Sequence, residues 1–117
     1  MIEKWIAEVK KRADPRELGM FLAHHGIVRA TSKQGRNVKG MRLLYDREKL
    51  QILVDTFSKR NGIVAVNAWI NEGTLSVGDD IMYVLVAGKF RTDVLPVLEE
   101  MVSKIKNEVV SEREFFD

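Results

Sequence analysis

Ile2, Trp5, Ile6 and Val9 recur every three to four residues, so residues 2–12 predict an amphipathic helix that stops before Pro15. Residues 20–31, MFLAHHGIVRAT, are apolar at short range and partly β-branched, and predict a strand. A polar segment with Gly35 and Gly40 follows, then MRLLYD (41–46) as a second strand. Leu50, Leu53, Val54 and Phe57 mark a helix over 47–60, closed by Asn61-Gly62. IVAVNAWI (63–70) reads as a strand partly covered on both faces. Asn71-Glu72-Gly73 turns the chain into a short strand, TLSV (74–77), and Gly78-Asp79-Asp80 turns it again into IMYVLVAG (81–88). Thr92 is a candidate cap for a last helix whose apolar stripe is Val94, Leu95, Leu98, Met101, Val102 and Ile105. The remainder, NEVVSEREFFD, reads as a polar-aromatic tail. The order α-β-β-α-β-β-β-α predicts one α+β domain over 1–117, a two-layer sandwich of helices on a mostly antiparallel sheet.

Composition narrows the chemistry. At 117 residues, with 45% hydrophobic and 31% charged, the chain can bury a core without disulfides or a structural metal. It has no cysteine, which excludes thiolate nucleophiles, Cys-type zinc sites and iron–sulfur clusters. No apolar run approaches the length of a membrane span, and MIEKWIAEVKKR is not a secretory signal, so a soluble cytoplasmic protein with no membrane partner is expected.

The net charge of +2 hides an uneven distribution. The window 29–42, RATSKQGRNVKGMR, has five cations and no acid, whereas the rest of the chain is mildly acidic. A local cationic loop predicts one anionic ligand. Nucleic acid is a poor fit, because the loop lacks interleaved aromatic residues that stack bases. With only Val38 as a sizeable apolar residue, the 31–40 segment is expected to bury little and to order on binding an anion.

Familiar catalytic signatures are missing. His24 and His25 are adjacent on a predicted strand, so they point to opposite faces and only one can reach a given site. There is no HExxH, no GxGxxG and no P-loop, and no metal is expected. What remains is a set of cations: Arg29 after the first strand, Arg91 before the last helix, and Lys106 at that helix's end. Spacing by i, i+4 stacks Lys106 on Val102, at the border of the apolar stripe, whereas Lys104 falls on the solvated side. A lysine at such a border is either partly desolvated and chemically useful or a helix-end cation snorkelling along the core.

Four motifs in order resemble the large, catalytic subunit of molybdopterin synthase. GIVR (26–29) with its basic loop resembles that family's G-x-V-R, and GTLSVGDD (73–80) its G-x-L-x-x-G-D turn. FRTDVL (90–95) is similar to the H-R-x-x-A-F segment that opens its last helix, and IKNEV (105–109) to its L-K segment. The resemblance implies an α/β-hammerhead type of domain that forms a homodimer. It also implies a small ubiquitin-like sulfur carrier, whose Gly-Gly C-terminus brings a thiocarboxylate to the pocket. Sulfur then passes to a cyclic pyranopterin monophosphate, building the dithiolene of molybdopterin, with no resident cofactor.

Residue by residue, the resemblance implies that Lys106 is the essential active-site lysine and that Arg29 and Arg91 bind the anionic substrate. Lys33, Arg36 or Lys39 would close over the phosphate. Arg113 stands where the family has a second lysine, but its segment reads VSER without the family's proline and tryptophan, and Phe90 replaces a histidine. These replacements leave two readings open: a sulfurtransferase, or a catalytically impaired relative that binds the carrier as a regulatory dimer.

Overall fold

The computed structural model describes residues 1–117. Helix α1 spans Ile2–Arg12, followed by β1 (Met20–Ile27), β2 (Val38–Tyr45), α2 (Arg47–Ser58), β3 (Ile63–Ile70), β4 (Gly73–Ser76) and β5 (Asp80–Gly88). Helix α3 (Arg91–Lys104) runs into a π-helical turn, Ile105–Val109, and then into β6, Val110–Phe116. The strands form two three-stranded antiparallel sheets, β1-β5-β3 and β4-β2-β6. The α+β class and the antiparallel pairing are as expected, and the strands divide between two sheets.

One core joins the sheets. Val84 and Val86 of β5, Met41 and Leu43 of β2, Phe57 of α2, and Val94, Val97, Leu98 and Met101 of α3 are all buried in a single cluster. Helix α1 covers the other face of the first sheet, where Val9 packs with Ala65 and Ala87. Asp46 caps α2 by accepting from the Lys49 N–H at 3.1 Å. An ion pair between Arg60 and Glu100 at 2.7 Å links α2 to α3.

Five local expectations need correction. The first strand ends at Ile27, and the chain beyond it closes a hairpin through a Thr31–Asn37 bridge. Within that hairpin the Ser32 N–H donates to Arg36 O at 2.9 Å and the Gly35 N–H to Ser32 O at 3.0 Å, with Gly35 at φ +84°. Ser32 and Val38 are buried, more than the composition of this loop predicts. Thr92 does not cap α3, because the helix already begins at Arg91: the extended residue before it, Phe90, accepts at its carbonyl from the Asp93 and Val94 N–H groups. Leu95 is 40% exposed and lies outside the stripe.

The fifth correction matters most for function. The expected tail is strand β6, paired with β2 from Val38↔Phe116 to Tyr45↔Val110. It lies at the edge of its sheet, and its central residues, Ser111 to Glu114, are polar on both faces. Charged side chains protect an edge strand from mispairing, and they also erase the apolar alternation that would have predicted it.

Candidate functional site

Where the two sheets meet, a cavity of about 240 Å³ opens between them. The first sheet contributes His24, Gly26 and Ile27 from β1 and Ile81 and Met82 from β5. The second contributes Met41 from β2 and Glu112 and Glu114 from β6. Arg29 follows β1, Lys33 comes from the hairpin, and Lys106 comes from the π-helical turn.

A bulge shapes this opening. Gly26 pairs with Met82 but Ile27 pairs with Asp80, so Ile81 is the extra residue on β5. Both Ile81 and Met82 therefore reach the cavity wall. Gly26 keeps the floor clear, since a Cβ there would lie 3.3 Å from His24 Nε2. On β6 alternation decides the wall: Glu112 and Glu114 share a face with Met41, while Arg113 stands opposite Arg42 on the other face.

Of the expected site residues, Arg29, Lys33 and Lys106 come together and the others do not. Arg113 points away and lies over the Phe115 ring, 5.8 Å from its centroid. Arg36 lies 3.9 Å over the Phe116 ring. Lys39 sits in the irregularity between Val38 and Gly40 where β2 meets β6, and does not line the cavity. Arg91 is farther still. Arg29 lies beyond the Asp80 end of β5 and Arg91 beyond its Gly88 end, and nine strand residues separate these ends by roughly 26 Å.

Of the two readings of Lys106, the partly desolvated one does not hold. The residue is exposed, because α3 ends at Lys104 and the wider π turn buries Ile105 and Val109 while leaving the residues between them in solvent. Its contribution is an ammonium charge at the rim of the cavity. Lys104 pairs with Glu108 at 3.7 Å, outside the pocket.

Three titratable wall residues were not foreseen as site residues. Glu112 and Glu114 set two carboxylates against three cations, so the cavity is mixed in charge and only mildly positive. His24, partly buried, is held below the ordinary histidine pKa, first by burial, then by the positive charge of Lys106 and lastly by His25. Strand alternation allows at most one of the two histidines to face a given site, and the sheet pairing decides which. His25 faces the opposite side, where it contacts Asp80 Oδ1 at 2.6 Å and packs edge-on to Tyr83 at 4.5 Å. The Tyr83 hydroxyl also donates to Asp80, and hydrogen bonds from Tyr83 and His25 lower the Asp80 pKa.

The fold that frames this pocket is that of molybdopterin synthase large subunits. A molybdopterin synthase from Staphylococcus aureus aligns with all of this chain and 85% of its own, with a TM-score of 0.80 at 19% identity. A molybdopterin cofactor biosynthesis protein E from Burkholderia multivorans aligns with 100% of this chain and 82% of its own, at 0.77 and 20%. A protein–protein complex of subunits 1 and 2 of molybdopterin-converting factor from Helicobacter pylori aligns with 98% and 78%, at 0.72 and 17%. At these identities the likeness is one of fold. No curated protein matches the chain significantly. The family model described as MoaE protein matches residues 2–108, and the chain belongs to that family. Membership supports a role in molybdenum cofactor biosynthesis. No helix is long and apolar enough to cross a membrane.

Proposed function

We propose that this chain is the sulfur-transferring large subunit of a molybdopterin synthase, acting in the cytoplasm. The observation that carries the reading is the convergence of Arg29 and Lys33, from the connection between β1 and β2, and Lys106, from the π-helical turn, on one cavity at the seam of the sheets. The chemistry brings together a thiocarboxylate and a phosphate, both negative, and a cationic pocket offsets their repulsion. Arg29 and Lys33 bind the pterin phosphate. Lys106, in solvent at the rim, donates to the carbonyl of the incoming carrier tail and stabilises negative charge as the carbon–sulfur bond forms. The sulfur arrives on the carrier, so the chain's lack of cysteine is no obstacle. The two-subunit complex among the similar folds supports a small protein partner.

The protein acts as a homodimer in this reading. Within one chain Arg91 is too far from Arg29 to share a ligand with it, and a second copy related by a two-fold axis gives Arg91 a route to the opposite pocket. Calorimetry with the carrier, and with a carrier lacking its last two glycines, tests the pocket. The intact tail is expected to bind at least about tenfold more tightly. Equal affinity would overturn the assignment.

A specific observation favours a second reading, the catalytically impaired carrier-binding dimer. Arg113 turns away from the pocket, so the charge at that position does not act there, and Phe90 can carry no proton. Reconstitution with authentic thiocarboxylated carrier and pterin phosphate decides between the two. Product formation supports the enzyme; tail-dependent binding without product supports the impaired relative.

A further inference from the structure

His24 lines the pocket, yet the reaction scheme above gives it no task. It precedes Gly26 by two residues on the same strand face, and the missing side chain at Gly26 leaves its Nε2 edge open to the cavity. The charged groups around that cavity are Arg29, Lys33 and Lys106 on one side and Glu112 and Glu114 on β6. β5 adds only apolar Ile81 and Met82, and α3 packs on β1 with a buried apolar row, Val94, Val97, Leu98 and Met101. His25, next in the chain, lies on the far face with Asp80.

We propose that His24 is a proton-linked anion ligand: neutral in the empty pocket, it takes up one proton from solvent when a dianion binds, and donates a hydrogen bond to it. The neutral ring has one N–H and the protonated ring two, so uptake frees a donor for the ligand whichever nitrogen already holds a proton. No bond between heavy atoms forms or breaks, and the only species exchanged is that proton. Before binding, burial and the charge of Lys106 favour the neutral ring. A dianion beside Lys106 reverses the sign of the local field and draws the proton in. By reciprocity, protonation must tighten the anion by the same factor.

The inference rests on the pocket being an anion site, and its test does not use sulfur transfer. Inorganic sulfate is a suitable probe, because it does not itself titrate between about pH 5.5 and 7.5, where histidine does. Calorimetry at fixed ionic strength, in buffers of different ionisation heat, reads affinity and proton uptake together. Sulfate is expected to bind at least about fivefold more tightly at the acidic end, with up to one proton taken up. His24→Gln should still bind sulfate but lose both effects, which subtracts any contribution from His25, Glu112, Glu114 or the cations. Affinity independent of pH, a dependence that persists in His24→Gln, or no sulfate binding at all would each overturn the proposal. Should His24→Gln fail to fold, an NMR titration of the wild-type ring decides: sulfate must raise its pKa. Linkage without sulfur transfer leaves His24 standing and removes the enzyme reading; transfer without linkage does the reverse.

Discussion

Removing Lys106 opens no cavity, because its side chain stands in solvent at the pocket rim. Lys106→Ala should therefore change stability by about 0.5 kcal/mol or less. If its ammonium group stabilises charge in sulfur transfer, the same change should slow transfer by about 10²–10³-fold. Lys104→Ala, which loses only a solvent-exposed pair with Glu108, should behave as wild type in both measurements. Transfer by Lys106→Ala at the wild-type rate would remove it from the site. His24 makes a second prediction, on stability. Burial and Lys106 lower its pKa in the folded protein from the unfolded value of 6.5, so below that value the unfolded chain binds the proton first. The stabilisation from a neutral His24 is complete above about pH 6.5 and falls as the pH drops toward the folded pKa. Thermal melts of wild type and His24→Gln should thus differ in slope below neutral pH, with the wild type losing more. Parallel curves would show that the ring is not desolvated as described.

Close packing between strands and helices sets the next constraint. A Cβ on Gly88, at the end of β5, would lie 2.3 Å from Gly62 O and 2.7 Å from Val94 Cγ2, so neither the β3 start nor α3 could stay in place. Gly88→Ala should cost about 1–3 kcal/mol and lower the melting temperature by roughly 5 °C or more. An unchanged melt would mean that α3 docks less tightly than the contact implies. Elements with a strong periodic pattern were legible from the sequence: α1 and β3 begin and end where the residues predict, and β5 gains only Asp80. Of the site, Arg29, Lys33 and Lys106 were legible because a cation-rich window and a motif resemblance single them out. The pocket's other wall was not. β6 carries charge on both faces at its middle, so nothing in its pattern announces a strand, and without that strand Glu112 and Glu114 have no place. The π turn was equally hidden, since widening a helix by one residue per turn leaves no mark on composition but shifts Lys106 from the core border into solvent.

The molecule is long in one direction. Its extents are 52 × 24 × 23 Å, and its radius of gyration of 15.4 Å exceeds the roughly 13 Å of a compact chain this size. The length separates the groups that the proposed chemistry needs together. The cavity lies at the seam, near the Asp80 end of β5, and Arg91 lies off the Gly88 end. No side-chain motion closes such a gap, so a role for Arg91 at the pocket requires a second copy, and the proposed dimer can be tested through that requirement. Arg91→Ala and Lys106→Ala should each be inactive as homodimers, because every pocket lacks one group. In a mixed dimer, one pocket combines Arg29 and Lys106 of the first chain with Arg91 of the second, and is intact. The other pocket carries both defects. Random reassortment of equal amounts should therefore restore about a quarter of wild-type transfer. If Arg91 acted within its own chain, each chain of the mixed dimer would keep its own defect and mixing would restore nothing. Native mass spectrometry of the same mixture shows whether reassortment took place, because the mixed dimer lies between the two homodimers in mass, so absent activity in confirmed mixed dimers would exclude a partner-supplied Arg91.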